Sequence, residues 1–312
     1  MKALVTGGAG FIGSHVAAGL LARGDDVRIL DNLSTGSERN LEALEGGFEF
    51  HEADLRDDGG VERAVEGTDV VFHLAAQVSV PLSIQDPILT YEVNSVATAR
   101  LLEACVRAGA RRVVFSSSCA VYGDSAVLPK REDMLPEPLS PYAATKLAGE
   151  HMMTMYGRLR GLQTVSLRYF NVFGPRQDPS SEYSAVIPRF IDMMRSGKRP
   201  IIFGDGRQTR DFVYVQNVVE ANLAAAGWPG AAGQVLNIGS GESIDLLGLV
   251  STLDDVIGTH LEPVHEDART GDIVHSSSSV EKARDELGWT PGVSLAEGLA
   301  RTVEAFGAGH GA

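Results

Sequence analysis

The sequence predicts an α/β fold, a doubly wound parallel sheet joined to a smaller mixed α/β lobe, and three observations carry that prediction. Short apolar runs alternate with amphipathic stretches through the first 168 residues, a glycine-rich turn follows the first run, and after residue 170 the pattern gives way to polar, turn-rich sequence. The first run, Lys2 to Thr6, reads as a strand. Behind it Ile12 to Arg23 has helical periodicity, closed by Gly24, the residue type that best takes the left-handed conformation at a helix end. Val27 to Leu30, Phe48 to Glu52, Val70 to Leu74, Val113 to Ser117 and Thr164 to Arg168 are further strands, and Ala97 to Ala108 is a helix ended by Gly109. Strands separated by helices pair in parallel, because the crossover returns the chain in the same direction. Beyond 170, Gly174-Pro175-Arg176-Gln177-Asp178-Pro179-Ser180-Ser181 opens a second lobe whose strands, Ile201 to Phe203 and Val235 to Ile238, are short and scattered. The expected division is therefore residues 1–168, joined by segments returning from about 210–243, and residues 169–312.

Composition narrows the class. A chain of 312 residues buries a large core, and its two cysteines, Cys105 and Cys119, exclude a disulfide framework. No apolar run approaches the roughly 20 residues needed to span a membrane, and the chain starts directly in a strand, so a cytoplasmic protein is expected. A net charge of −14 argues against nucleic-acid binding and requires local arginines for any anionic substrate. The eight histidines show no metal-ligand spacing, and no metal site is expected.

The glycine-rich turn carries the first functional signal. Gly7, Gly10 and Gly13 fit a tight strand-to-helix turn, close approach of backbone to a pyrophosphate, and close helix packing, the marks of a Rossmann-like dinucleotide site. A helix beginning near Phe11 and Ile12 would point its free N–H groups at the phosphates. Asp31 follows the second apolar run at the roughly 20-residue offset where a carboxylate binds the adenosine ribose; it repels a 2′-phosphate, so NAD is favoured over NADP.

The second signal is Ser140-Pro141-Tyr142-Ala143-Ala144-Thr145-Lys146. Ser140 suits an N-cap and Pro141 the first helical turn, which places Tyr142 and Lys146 four apart on one helix face. An ammonium beside a phenol favours phenolate and is expected to lower the tyrosine pKa from about 10, making it a usable base. Ser116-Ser117-Ser118 lies at the carboxyl end of a strand, where open α/β sheets place their ligands; Ser118 would bond the reacting oxygen and Ser116 would face the cofactor.

With these residues in place the chain resembles the extended short-chain dehydrogenase/reductase family and, within it, the nucleotide-sugar 4-epimerases. The resemblance covers nearly the whole chain, through Gly7-x-x-Gly10-x-x-Gly13, Asp31-Asn32, Asp54-Leu55, His73-Leu74-Ala75-Ala76, Asn94, Ser118/Tyr142/Lys146, Arg168-Tyr169-Phe170-Asn171 and Arg269-x-Gly271-Asp272. It implies that Asp54 and Leu55 line the adenine pocket beside Asn32, that Leu74, Ala75 and Ala76 pass under the cofactor phosphates, and that Asn94 and Phe170 hold the nicotinamide half. It implies that Asn171, Arg210, Arg269 and Asp272 bind a substrate pyrophosphate and uridine ribose, and that Val186, Ile201 and Phe203 contact uracil. Val78 departs from the pattern, standing where enteric UDP-galactose epimerases carry a lysine near the cofactor phosphates. A homodimer is implied too, joined through Ala97 to Ala108 and Ala143 to Arg158.

The resemblance implies that Tyr142 removes the sugar 4-hydroxyl proton as the C4 hydride passes to NAD, and that the 4-keto sugar turns over and takes the hydride back on its other face. Ser276 stands where the resembling enzymes wall the pocket near the sugar 2-substituent; a serine in place of tyrosine leaves room for an acetamido group, whereas the alternative reading makes it an exposed turn residue. The expected activity is interconversion of UDP-GlcNAc and UDP-GalNAc, with UDP-Glc and UDP-Gal as well. A UDP-glucuronate 4-epimerase or decarboxylase is the nearest alternative. A 4,6-dehydratase needs an Asp-Glu pair where Cys119 and Ala120 stand, Asp31 disfavours an NADPH-dependent reductase, and a non-catalytic NAD-binding protein would lack one of the three reactive residues, all present.

Overall fold

A computed structural model describes residues 1–178, 186–268 and 275–308. The first part of the chain alternates as expected: β1 (Lys2–Thr6), α1 (Phe11–Ala22), β2 (Asp26–Asp31), α2 (Glu38–Glu42), β3 (Phe48–Glu52), α3 (Asp58–Val65), β4 (Val70–His73), α4 (Val80–Gln85), α5 (Pro87–Tyr91), α6 (Ala97–Ala108), β5 (Arg112–Ser118), α7 (Pro141–Arg160) and β6 (Gln163–Tyr169). The later part consists of β7 (Asn171–Phe173), α8 (Val186–Arg195), β8 (Ile201–Phe203), β9 (Thr209–Arg210), β10 (Phe212–Tyr214), α9 (Val215–Gly227), β11 (Gln234–Ile238), β12 (Ile244–Asp245), α10 (Leu246–Ile257), β13 (Val264–Glu266) and α11 (Leu295–Ala308).

Seven strands form one sheet in the order β11-β6-β5-β4-β1-β2-β3, every neighbouring pair parallel. Several strands run past their apolar residues because ladder pairing rather than hydrophobicity sets their ends: Asp26 pairs with Lys2, Asp31 with Glu52, and Arg112 with both Val70 and Gln163. In the same way β4 stops at His73 rather than Leu74, and α1 spans Phe11–Ala22 rather than Ile12 to Arg23.

Helices cover both faces of the sheet, as a buried parallel sheet requires. Val16, Ala17 and Leu20 of α1 pack with Val218 and Val219 of α9 on one face, and Val61 of α3, Leu101 and Leu102 of α6 and Met153 of α7 on the other. A separate core around Phe173, Ile187, Phe190, Ile202, Leu249 and Leu299 serves the later segments, whose strands, β11 apart, pair only in twos. Between α5 and α6 residues 92–96 form a wide helical turn, which buries Asn94.

Candidate functional site

The glycines do separable work. Gly7 lies at φ +71°, and a Cβ there would come within 2.7 Å of the Ala75 amide nitrogen; at Gly13 it would come within 2.0 Å of the Gly7 carbonyl. One glycine thus allows the turn to meet the strand β4 loop, the other lets α1 sit on the turn. At Gly10 the nearest atom would be 3.2 Å away. Gly10 is also the N-cap of α1 and supplies no side chain to the helix's first N–H groups, which therefore face the cavity beside them with no side-chain acceptor.

That cavity, of ≈ 730 Å³, is lined by Gly7, Gly10, Phe11, Ile12, Asp31, Asn32, Asp54, Leu55, Leu74, Ala75, Ala76, Ser116, Ser118, Tyr142, Lys146 and Phe170. Gln77, Val78, Leu82, Val93 and Gln177 also line it, and the sequence had given no reason to single out Gln77. The Oε1 atoms of both glutamines are buried without a partner among the described residues. Asn94 does not line the cavity. Its Oδ1 accepts from the Gln77 amide at 2.8 Å, and its Nδ2 donates to the Gln77 carbonyl at 3.0 Å and to Thr145 Oγ1 at 3.1 Å. These bonds tie the loop behind the wall to α7, so in this structure Asn94 supports the wall from behind.

At the adenosine end, Asp31 takes the Ala9 and Leu33 amides, one on each oxygen at 2.9 Å. Burial raises its pKa, and these bonds oppose the rise. Asn32 donates to Asp54, whose carboxyl the Arg56 guanidinium holds far below the usual carboxylate range.

The reactive residues converge at the other end. Ser118 closes β5 near Tyr142, and its hydroxyl caps the short turn that follows by accepting from the Ala120 amide at 3.2 Å. Ser140 caps α7 by accepting from the Ala143 amide at 3.2 Å, with Pro141 in the first turn, so Tyr142 and Lys146 project from one helix face. Lys146 Nζ donates to the Ser116 carbonyl at 2.7 Å and lies 5.9 Å from the Tyr142 ring centre. Burial pushes the Tyr142 phenol up to about 12 and the Lys146 amine down to about 7, while the nearby Ser118 hydroxyl favours phenolate. Desolvation, not Lys146, therefore sets the direction for the phenol, and the expected lowering by Lys146 is not seen. Beneath them Glu150 of α7 takes both Arg168 Nε and Nη2, at 2.8 and 2.7 Å, and the Ser117 hydroxyl, locking β5 and β6 to α7.

A second cavity, of ≈ 260 Å³, is lined by Asn171, Val186, Ile201, Phe203 and Arg210, together with Arg189, Gln208 and Phe212. Val172 lines both cavities, so they lie side by side. Ser276 lines neither; it is buried, not exposed, and its amide donates to the Thr209 carbonyl at 3.1 Å, next to Arg210. Arg269 and Asp272 lie outside the described residues.

A dinucleotide-sized cavity at the carboxyl end of a parallel sheet, with a Ser/Tyr/Lys set at its inner end, defines a class, and the profile of the NAD dependent epimerase/dehydratase family matches residues 3–239. The chain belongs to that family. It is 44% identical over 310 residues to the UDP-glucose 4-epimerase of Mycolicibacterium smegmatis, with 98% of each chain covered. Among solved structures, a UDP-N-acetylglucosamine 4-epimerase from Methanobrevibacter ruminantium, in complex with UDP-N-acetylmuramic acid, superposes with a TM-score of 0.94 at 38% identity over 99% of this chain and 98% of the other. The Thermus thermophilus UDP-glucose 4-epimerase complex with NAD has a TM-score of 0.90 at 40% identity, with both chains fully covered. The protein is an extended short-chain dehydrogenase/reductase enzyme of the UDP-sugar 4-epimerase branch, an isomerase whose cofactor is NAD.

Proposed function

We propose that the enzyme inverts C4 of UDP-GlcNAc and UDP-GalNAc, and of UDP-Glc and UDP-Gal. The observation that carries this reading is the placement of Ser118, Tyr142 and Lys146 on a large cavity directly beside a smaller one that holds Asn171, Arg210 and an apolar wall of Val186, Ile201 and Phe203. The chemistry that bound NAD would supply is reversible acceptance of the C4 hydride. Gly7, Gly10 and the α1 N-terminus would receive its pyrophosphate and Asp31 its adenosine ribose; Ser116, Lys146 and Phe170 would border the nicotinamide end. Tyr142 removes the proton from the sugar 4-hydroxyl, Ser118 orients that oxygen, and Lys146 supplies the charge that a buried phenolate needs. Burial penalises either charge alone, so phenolate and ammonium are most favourable as a pair. Asn171 and Arg210, with Arg269 and Asp272, bind the nucleotide diphosphate while the 4-keto sugar turns over.

Acceptance of the N-acetylated pair rests on serine at 276, a small buried residue beside the Arg210 strand. Turnover of the UDP-sugar panel, with UDP-glucuronate included, tests it. Both hexose pairs are expected to interconvert, and Ser276→Tyr is expected to block the N-acetylated pair by roughly 1–3 kcal/mol of overfilling while sparing the smaller pair. Equal loss on both pairs would mean that Ser276 does not shape the sugar pocket, and preferential turnover of the glucuronate would replace the hexose reading.

A homodimer belongs to the same proposal. Ile84, Ile88, Val96, Met155 and Leu159 are exposed, along residues 84–96 and the end of α7, whereas the outer face of α6 carries Arg100, Glu103 and Arg107. We therefore assign the contact to α7 and the helices before α6, with Leu159→Glu expected to give monomers in sedimentation. Among the described residues no helix is long and apolar enough to cross a membrane, and both cysteines are free; a cytoplasmic setting is proposed.

A further inference from the structure

Asp211, between Arg210 and Phe212 of the smaller cavity wall, carries no motif and was not expected to matter, yet it has the densest polar surroundings of that region. It is fully buried. Its Oδ1 accepts from the amide and hydroxyl of Ser240, both at 2.7 Å. Its Oδ2 accepts from the Ser278 amide at 3.0 Å, the Ser278 hydroxyl at 2.5 Å and the Gly241 amide at 3.2 Å. Its carbonyl accepts from both the amide and the side chain of Asn171, at 3.0 and 3.1 Å. The neighbouring turn closes tightly on it: a Cβ at Gly239 would lie 2.8 Å from Asp211 Oδ2.

One residue therefore joins three stretches distant in sequence, Asn171, Ser240–Gly241 and Ser278, to the strand that carries Arg210. Asn171 lines the cavity, Arg210 is its chain neighbour and lines it too, and Ser278 ends the stretch that begins at Ser276. Both Asp211 and Arg210 also lie within electrostatic reach of Cys119, the residue after Ser118. We propose that Asp211 is a positioning residue for the nucleotide diphosphate: its carboxylate ties its own strand, which carries Arg210 and whose carbonyl holds Asn171, to the 240–241 turn and the 276–278 stretch. The inference rests on the UDP-sugar reading above.

The chemistry calls for a carboxylate in particular. An amide of the same shape accepts at one atom only, so asparagine would set an NH₂ against the Ser240 amide or against the Ser278 and Gly241 amides. Asp211→Asn is expected to weaken UDP binding in calorimetry about tenfold, and to raise KM for the UDP-sugar by a similar factor, as buried donors lose their acceptor. The NAD content should remain that of wild type and kcat should change little, since neither cradle nor base is touched. A merely structural role would instead lower NAD content and kcat together. Unchanged UDP affinity, or a loss confined to kcat, overturns the proposal. If Asp211→Asn is insoluble, Ser278→Ala decides: it removes one donor from Oδ2 and is expected to weaken UDP severalfold, and unchanged affinity there also overturns the proposal. Failure of the wild-type protein to bind UDP would instead sink the UDP-sugar reading itself, and the inference with it.

Discussion

His73, at the end of β4, makes the acid stability of this enzyme predictable. It is fully buried, with Nδ1 2.8 Å from Thr6 Oγ1 and Nε2 2.9 Å from Thr98 Oγ1. The neighbours settle its tautomer. Thr98 spends its own proton on the Asn94 carbonyl at 2.6 Å, so it accepts from His73 Nε2–H; Thr6 receives the Ala75 amide and gives its proton to Nδ1. Burial, reinforced by the Lys146 charge, pulls the imidazole pKa down to about 3. The unfolded chain binds a proton as pH falls through 6.5 while the folded chain does not, so stability is full above pH 6.5 and declines down to pH 3. The difference amounts to about 5 kcal/mol, with a slope of up to about 1.4 kcal/mol per pH unit. His15, lowered to about 4 by burial, declines the same way and must be subtracted. Urea unfolding from pH 7 to pH 4.5 at fixed NAD concentration should therefore show a steeper loss in wild type than in His73→Asn, by about one proton. Parallel slopes would refute the assignment of a neutral, buried His73.

Three further outcomes follow from the site. Tyr142→Phe should cut turnover by about a hundredfold to ten-thousandfold while NAD stays bound, and near-normal turnover would exclude Tyr142 as the base. Gly13→Ala places a methyl 2.0 Å from the Gly7 carbonyl, so NAD released on denaturation should be largely missing from the purified variant; full NAD content would contradict the cradle. Arg210→Ala should weaken UDP by roughly 1.5–3 kcal/mol in calorimetry through loss of charge-assisted bonds, and an unchanged isotherm would remove Arg210 from the diphosphate site.

The sheet was legible because each strand buried on both faces must be an apolar run, and each glycine C-cap marks where a helix stops. Gly109, at φ +72°, ends α6 where the pattern places it. The pieces β7, β9, β10, β12 and β13 were not legible, since two or three residues carry no periodicity and their pairing is decided by distant partners. The same limit applies within the site. Gly7, Asp31 and the Tyr142/Lys146 pair announce themselves through local spacing that chemistry dictates. Asp211 and Asn94 act through partners far along the chain, and a lone Asp or Asn carries no signal of that. The pKa of Tyr142 was misjudged for a related reason: spacing reveals a neighbouring charge, but burial is a property of the whole fold.

The place of β11 has a consequence for how this chain must be made. It completes the large sheet at the β6 edge, but it is reached only after the entire stretch from Asn171 to Gly233 has been laid down elsewhere. Until then β6 offers an open row of backbone donors and acceptors flanked by Val165 and Leu167, which in the finished protein are completely covered. Such an edge pairs readily with any strand that meets it. A fragment ending at residue 168 would therefore be a strand-hungry sheet rather than a miniature nucleotide-binding protein, prone to stick to its own copies. On the ribosome, the interval between synthesis of Tyr169 and of Ile238 is the window in which the nascent chain most needs protection from its neighbours.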